Sequence, residues 1–125
     1  MLKLILMVGA GSFAGGVSRF IASRLIQESV SSSFPFGTFI VNILGCFLIG
    51  LFYGLSERGN LLNTEWRMFL TVGFCGGFTT FSTFSGENIA MLRDGSFFLV
   101  ALYISLSVFF CLIATWFGNL VTKLL

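Results

Sequence analysis

Long apolar runs alternate with short polar stretches along the chain, and four of these runs are long enough to cross a membrane. A membrane-spanning helix needs about 20 predominantly apolar residues. Runs of about this length or longer lie at residues 4–25, 37–55, 66–92 and 97–121. The longest polar stretch between them, residues 56–65, carries charged side chains. The pattern therefore predicts an all-α integral membrane protein with four transmembrane helices, folded as a single domain over residues 1–125.

The third run contains a stretch that fits poorly into a continuous helix. Gly76 and Gly77 are adjacent, and each glycine costs about 1 kcal/mol relative to alanine in a helix interior. The β-branched Thr79 and Thr80 follow closely and stiffen the chain further. We therefore expect the third helix to be broken near its middle, at residues 76–80. Peptide groups freed by such a break are costly in lipid, so they must face protein, water or an ion.

The composition excludes a water-soluble globule. Hydrophobic residues make up 56% of the chain and charged residues 10%, whereas soluble domains carry about 25% charged residues. The net charge is only +2 and the basic residues are scattered, so nucleic acid is not an expected partner. The chain has no histidine, and its three cysteines lie far apart in apolar runs. These features argue against an enzyme, a zinc site or a disulfide framework.

The first span combines small residues with one charge. Its apolar run is too long for the core of a signal peptide, which favours a membrane span. Gly11 and Gly15 share one helix face, where a neighbouring helix can approach closely. Arg19 lies inside the span, where a cation is costly. It is expected at a pore mouth or in a structural ion pair, and the alternative is a side chain that snorkels to the membrane surface.

Small or polar residues recur at every fourth position of the second and fourth spans. The second span carries Thr38, Asn42 and Cys46 in this spacing, and the fourth carries Tyr103, Ser107, Cys111 and Thr115. The spacing places them in a narrow stripe along one face of each helix, which by itself is typical of a packing seam. A buried amide needs partners that lipid does not supply, so Asn42 either joins two helices or lines a pathway.

The polar groups inside the spans suit a small dehydrated anion. They are mostly hydroxyls and amides, which donate hydrogen bonds, and Glu87 is the only carboxylate well inside a span. Phe81 and Phe84 lie on one helix face, with Ser82 and Thr83 between them in sequence. Aromatic rings carry a positive edge, so two such edges could flank an anion. With 17 phenylalanines in the chain, ordinary packing of this pair is the simpler alternative.

The broken helix could also hold a cation. Unwound carbonyl groups at membrane depth can coordinate sodium. Gly76 and Thr79 straddle the expected break, so their carbonyl oxygens are the candidate ligands. The alternative is a simple kink whose peptide groups are satisfied by neighbouring helices and by hydroxyl side chains.

Basic residues give only weak information about orientation. With four spans, the side of the membrane that holds both termini carries four of the seven basic residues, and the opposite side carries two, or three if Arg19 reaches it. An asymmetry of Lys and Arg normally fixes how such a protein inserts. A bias this small is compatible with insertion in both directions, and therefore with an antiparallel, dual-topology homodimer.

The sequence Gly-Gly-Phe-Thr-Thr-Phe-Ser-Thr-Phe-Ser at residues 76–85 resembles the signature of the CrcB/Fluc family of bacterial fluoride channels. The resemblance extends to the glycine-rich first span, to Pro35 ahead of Gly37 and Thr38, and to four spans within 125 residues. It implies dual-topology homodimers with two narrow fluoride pathways and one structural sodium ion (Na+) at the dimer centre.

The resemblance also implies roles for individual residues. Phe81 and Phe84 are similar to the aromatic pair that lines the pathway, and Asn42 is similar to the pore amide. The sodium ion would rest on the backbone carbonyls of Gly76 and Thr79, supplied by both subunits.

Other residues resemble the wall and the mouth of the pathway. Five hydroxyl residues are similar to its polar wall: Ser82, Thr83, Tyr103, Ser107 and Thr115. Arg19 resembles the first-span arginine near the vestibule, Glu87 resembles the third-span glutamate, and Thr38 belongs to the same pathway. Cys111 stands where some relatives carry a hydroxyl.

The resemblance implies a passive, fluoride-selective channel in the bacterial inner membrane that protects the cell by letting cytoplasmic fluoride leave down its gradient. A narrow path rich in hydrogen-bond donors would supply the selectivity. The main alternative is a proton-coupled exporter of the small multidrug type, which needs a carboxylate in the first span, where this chain has none. A non-transporting packing protein would leave Asn42 and the expected break unexplained.

Overall fold

All regular structure in the described part of the protein is helical. The computed structural model describes residues 1–58 and 63–124, so the charged connection expected at residues 56–65 lies partly outside the described residues. In chain order the elements are α1 (Leu2–Glu28), α2 (Phe36–Glu57), α3 (Thr64–Met68), a π-helical segment (Phe69–Cys75), α4 (Gly76–Phe78), α5 (Phe81–Arg93) and α6 (Phe97–Leu124). By length and composition, α1, α2 and α6 could each cross a membrane.

The four predicted apolar runs agree with these elements, with one difference inside the third. The first, second and fourth runs each correspond to a single helix that extends the predicted bounds by no more than three residues at either end. The third run is interrupted at Thr79 and Thr80, which confirms the predicted break. The break is shorter than expected, because Gly76 and Gly77 remain helical in α4.

The glycines of the third run bring it against α1 and do not unwind it. A Cβ atom on Gly77 would lie 2.6 Å from the carbonyl oxygen of Ser12. From the other side, a Cβ atom on Gly15 would overlap the carbonyl oxygen of Phe74, and Gly11 lies just as close to the π-helical segment. The close approach predicted for Gly11 and Gly15 is therefore confirmed, and it gives the helical glycines of the third run a packing role.

The π-helical segment Phe69–Cys75 is a feature that the sequence did not predict. Such segments have wider turns than an α-helix, are rare, and are frequent at functional sites. The hydroxyl of Thr71 donates to the Arg67 carbonyl oxygen at 2.7 Å, within the helix itself. The segment leads directly into α4, so it sets the direction in which the chain arrives at the break.

Helices α2 and α6 run side by side in the same direction, and glycines on α2 let them touch. A Cβ atom on Gly50 would overlap the carbonyl oxygen of Thr115, and one on Gly54 would overlap the side chain of Thr122. The contacts advance along both helices together, which shows that the helices are parallel. This pair forms the wall on which the break and α5 pack.

The buried apolar cluster of the described residues surrounds Tyr103 of α6. Tyr103 is fully buried, and the centre of its ring lies 5.3 Å from that of Phe34 and 4.8 Å from that of Phe84. Met91 and Val100 complete the cluster. The cluster holds α5 against α6 and thereby fixes where Phe84 and its neighbours on α5 lie.

Candidate ion pathway at the helix break

The break consists of two extended residues between two helix ends. Thr79 has φ −90° and ψ 152°, and Thr80 has φ −149° and ψ 126°. Thr80 is also the N-cap of α5, since its hydroxyl oxygen accepts a hydrogen bond from the backbone N–H of Thr83 at 3.3 Å. The negative end of α4 and the positive end of α5 therefore face each other across two residues.

Asn42 of α2 binds the exposed backbone of the break with both ends of its amide. Its Nδ2 donates to the Thr80 carbonyl oxygen at 3.2 Å, and its Oδ1 accepts from the Thr80 N–H at 3.0 Å. Both polar groups of this extended peptide are thus satisfied by one side chain. Of the two roles that the sequence left open for Asn42, the structure supports the joining of two helices, and it also places the residue on the wall of a cavity.

Two carbonyl groups at the break lose their α-helical donors. An uninterrupted helix would direct the Thr80 N–H to the Gly76 carbonyl, but this N–H donates to Asn42. It would direct the Thr83 N–H to the Thr79 carbonyl, but this N–H donates to the Thr80 hydroxyl. Gly76 and Thr79 also line one cavity of about 150 Å³. These are the two residues whose carbonyls the sequence proposed as ligands.

The chemistry of these two groups suits a hard cation. Carbonyl oxygens are ligands for ions such as sodium, whereas soft and borderline metals need thiolate or imidazole ligands. Within the described residues there is no group of three or more carboxylate, thiol or imidazole side chains that could hold a metal. The carbonyls of Gly76 and Thr79 are therefore the groups in this part of the chain that fit the expected sodium ion.

Arg19 of α1 reaches the same helix end. Its Nε donates to the Gly77 carbonyl oxygen at 3.2 Å, so the cation lies at the negative end of α4. The sequence offered a pore mouth, an ion pair or snorkelling for this residue. The structure adds a contact with a backbone carbonyl, which the sequence could not reveal because it depends on the break.

A cavity of about 250 Å³ opens beside the break and collects four of the predicted pathway residues. Asn42, Phe81, Phe84 and Ser107 all lie on its wall. The wall is completed by Cys46, Thr79, Thr80, Val108 and Cys111. No residue of this wall is charged, and its polar groups are an amide, hydroxyls and thiols.

Phe81 and Phe84 contact each other but differ greatly in exposure. Their ring centres are 5.5 Å apart, as expected for residues on one helix face. Phe84 is 9% exposed and packs on Tyr103, whereas Phe81 is 77% exposed. Within this one chain, the Phe81 side of the cavity therefore has no cover among the described residues.

Glu87 joins three helices through its two carboxylate oxygens. Oε2 accepts from the Thr38 hydroxyl of α2 at 3.0 Å, and Oε1 accepts from the Tyr103 hydroxyl of α6 at 3.0 Å. The structure thus brings together three residues that the sequence had placed in the pathway separately. Their position next to the Tyr103 cluster makes them a fixed polar group at one end of the cavity side of α5.

Three predicted wall residues do not line this cavity. The Thr115 hydroxyl donates to the Cys111 carbonyl oxygen at 3.1 Å, and Thr115 lies two turns, about 12 Å, beyond Ser107 on α6. Ser82 and Thr83 are exposed, and their hydroxyls lie 3.2 Å and 3.3 Å from that of Thr80. For these three residues, a place in the pathway remains a prediction.

Sequence reasoning missed Thr80, Gly45 and Cys46. Thr80 is the residue that both caps α5 and binds Asn42. Gly45 makes room for the break, because a Cβ atom there would overlap the methyl group of Thr79. A threonine that follows glycines and precedes a helical run is a recognisable N-cap signal, whereas no local signal marks Gly45.

Comparison with known proteins identifies the class to which this helical membrane protein belongs. The model of one family matches residues 6–119, which is most of the chain. The chain belongs to this family, described as CrcB-like protein, Camphor Resistance (CrcB). The resemblance seen in residues 76–85 is therefore confirmed.

Curated relatives are similar over nearly their whole length. The fluoride-specific ion channel FluC of Flavobacterium psychrophilum is 44% identical over 122 residues, which cover 98% of both chains. The protein of the same name from Azobacteroides pseudotrichonymphae is 43% identical over 123 residues, again 98% of both chains. That of Campylobacter jejuni is 42% identical over 123 residues, covering 98% of this chain and 100% of the relative. Their names describe an ion channel and not an enzyme, in agreement with the sequence analysis.

Proposed function

We propose that this protein is a fluoride-selective channel of the bacterial inner membrane, through which cytoplasmic fluoride leaves passively. The names of its relatives support this function, since the similarity extends over almost the full chain. The observation that carries the proposal here is the uncharged cavity at the break, where Asn42, Phe81, Phe84 and Ser107 meet. Residues 1–125 would form a single domain with four spans, the third of them broken.

The cavity wall suits fluoride because it offers positive groups without fixed negative charge. The Ser107 hydroxyl can donate to a small anion, and the rings of Phe81 and Phe84 can turn positive edges toward it. An anion in a low-dielectric site must be compensated for lost hydration. Arg19, bound at the nearby end of α4, contributes a positive charge to this region. Glu87 is held back by two hydroxyl donors, which occupy both carboxylate oxygens.

A second copy of the chain would complete the pathway. Phe81, Ser82, Thr83 and Gly76 are all exposed in one chain. Polar backbone and side-chain groups at membrane depth are costly in lipid, so this surface needs a protein cover. An antiparallel, dual-topology homodimer would place the same surface of a partner against it, and the weak charge bias of the loops permits such insertion. Membrane lipid would cover the remaining apolar helix faces, such as those of α1 and α6.

A sodium ion at the break would complete the donor set of this assembly. The carbonyls of Gly76 and Thr79, freed from their α-helical donors, would hold it together with the corresponding groups of the partner. The ion would supply a fixed positive charge that lowers the cost of bringing an anion into the membrane. The role of this chain is to keep the two carbonyls available, which Asn42 and the Thr80 hydroxyl do by taking the competing N–H groups.

Fluoride efflux from liposomes tests the proposal. The purified protein is reconstituted in liposomes loaded with potassium fluoride, valinomycin is added, and external fluoride is followed with an electrode. A channel releases fluoride at once without a pH gradient. Release that requires a pH gradient would indicate the proton-coupled exporter, and no release would contradict transport of fluoride.

Substitution of the exposed phenylalanine tests the pathway itself. Phe81→Ala removes one ring of the cavity wall, and we expect efflux to fall to the rate of protein-free liposomes while dimers persist. Phe98→Ala is the matched control, because Phe98 is also 77% exposed but lies at the start of α6, away from the cavity. Wild-type efflux in Phe81→Ala, or an equal loss in Phe98→Ala, would refute the assignment of this cavity.

A further inference from the structure

Two cysteine side chains of different helices face the cavity at the break. Cys46 belongs to α2 and Cys111 to α6, and both are free thiols on the wall of the 250 Å³ cavity. The register of the two parallel helices places them opposite each other. Gly50 touches the backbone of Thr115, and Cys46 and Cys111 lie one turn earlier on their respective helices.

The contacts of Cys46 agree with this register. Its thiol interacts with the side chain of Cys111 and with the hydroxyl of Thr115. Both cysteines are half-buried, whereas the third cysteine of the chain, Cys75, is buried elsewhere at the break and is 3% exposed. The cavity therefore presents a pair of thiols, and this pair has no role in the passage of fluoride described above.

We propose that Cys46 and Cys111 form a two-thiol binding site for a soft, two-coordinate metal ion such as Hg²⁺, and that an ion bound there closes the fluoride path. The second part rests on the proposed channel function, and the first does not. No cysteine pairing was expected from the sequence, because the two residues are far apart in the chain.

The chemistry of the wall selects this class of ion. Thiolates are soft ligands and prefer soft metals. The cavity wall carries no carboxylate or imidazole that could complete the four-coordinate shell of zinc. With Hg²⁺, each thiol loses its proton and forms one Hg–S bond, so two protons are released and the bound unit is neutral. A neutral product suits the low dielectric of a membrane interior, where a charged one would be penalised.

The location explains why the bound ion would stop fluoride. Ser107, the hydroxyl donor of the cavity, lies one helical turn before Cys111 on α6, so both residues face the same space. Phe81 and Phe84 form the opposite part of this wall. A metal ion bridging the two thiols would stand between the serine and the rings, in the space that a fluoride ion must cross.

Retention of Hg²⁺ against a competing monothiol tests the site without measuring transport. The full-length protein in detergent is loaded with one equivalent of Hg²⁺ and titrated with 2-mercaptoethanol, and the metal remaining on the protein is measured. Two linked ligands hold an ion more tightly than one, so the monothiol concentration that removes half the metal should fall by about 100-fold or more in Cys46→Ser and in Cys111→Ser. Cys75→Ser is the matched control and should keep the wild-type value.

Equal retention in wild type and in either of the first two variants would overturn the site, as would the same loss in Cys75→Ser. Cys46→Ala and Cys111→Ala replace any serine variant that loses its helical circular dichroism. Fluoride efflux then tests the closure. Hg²⁺-loaded wild type should release fluoride at the rate of protein-free liposomes and recover with a dithiol, and the double variant Cys46→Ser/Cys111→Ser should be insensitive to Hg²⁺. Full efflux from loaded wild type would refute the closure, whereas absence of efflux without metal would refute the channel and leave the retention result standing.

Discussion

Replacing Asn42 by alanine removes both hydrogen bonds that hold the extended peptide of Thr80. The N–H and the C=O of this peptide then lose their partners together. A buried polar group left without a partner costs about 1–3 kcal/mol, and these two bonds are only partly buried, which favours the lower half of that range. We therefore expect Asn42→Ala to lower the free energy of unfolding by about 2–4 kcal/mol.

The assay is reversible unfolding in mixed micelles, in which the fraction of denaturing detergent is raised and tryptophan fluorescence is followed. Asn88→Ala is the matched control, because Asn88 is also an asparagine in a helix and is 6% exposed. Its Nδ2 donates to the Phe84 carbonyl within α5, at 2.9 Å, so its loss leaves no extended peptide without partners. The control should lose less than about 1 kcal/mol, the usual net value of one hydrogen bond.

The two variants should also differ in function. Asn42→Ala frees the Thr80 N–H to return to the Gly76 carbonyl and close the break, so fluoride efflux should disappear while dimers remain. A free energy of unfolding within about 0.5 kcal/mol of wild type, the size of an ordinary surface substitution, would refute the claim that Asn42 secures the break. Normal efflux in a variant that is destabilised as expected would show that the amide has a structural role only.

Two further predictions concern packing and the carboxylate. Gly15→Ala forces a Cβ atom into the Phe74 carbonyl and should lower the free energy of unfolding by about 1–3 kcal/mol, whereas Gly16→Ala, which meets nothing within 4 Å in one chain, should leave it unchanged or raise it in the same titration. Equal effects of the two would contradict the observed face of α1. Tyr103→Phe removes one of the two donors to Glu87 and should cost about 1–3 kcal/mol; a neutral result in thermal unfolding would show that this hydrogen bond contributes little.

The elements of the fold that depend on local sequence were predictable. Uninterrupted apolar runs gave the bounds of α1, α2 and α6 to within three residues, because membrane thickness and helical rise fix the length of a span. The break was also foreseeable, since adjacent glycines and β-branched threonines disfavour a helix. Its position shifted toward Thr79 and Thr80 because close packing on α1 keeps Gly77 helical, and packing between distant segments is not encoded locally.

The candidate site was predictable in its residues but not in its contacts. Spacing placed Asn42, Phe81 and Phe84 in a plausible pathway, and the family signature strengthened that prediction. The sequence could not tell that Asn42 would bind the Thr80 peptide, since the partner exists only where a helix is broken. Nor could it separate the exposed Phe81 from the buried Phe84, because periodicity gives the face of a helix and not what lies against that face.

The wide turns of Phe69–Cys75 have a consequence for how this protein tolerates change. A π-helical stretch holds one residue more than the α-helix that could replace it, so deleting a single residue there would let the stretch become α-helical. Each residue of an α-helix turns the chain by about 100°, so the deletion would rotate α4, the break and α5 around the axis by a comparable angle. Both phenylalanine rings would then point away from Asn42. The aim of the whole second half of this segment thus hangs on one surplus amino acid, far more than on any side chain near it.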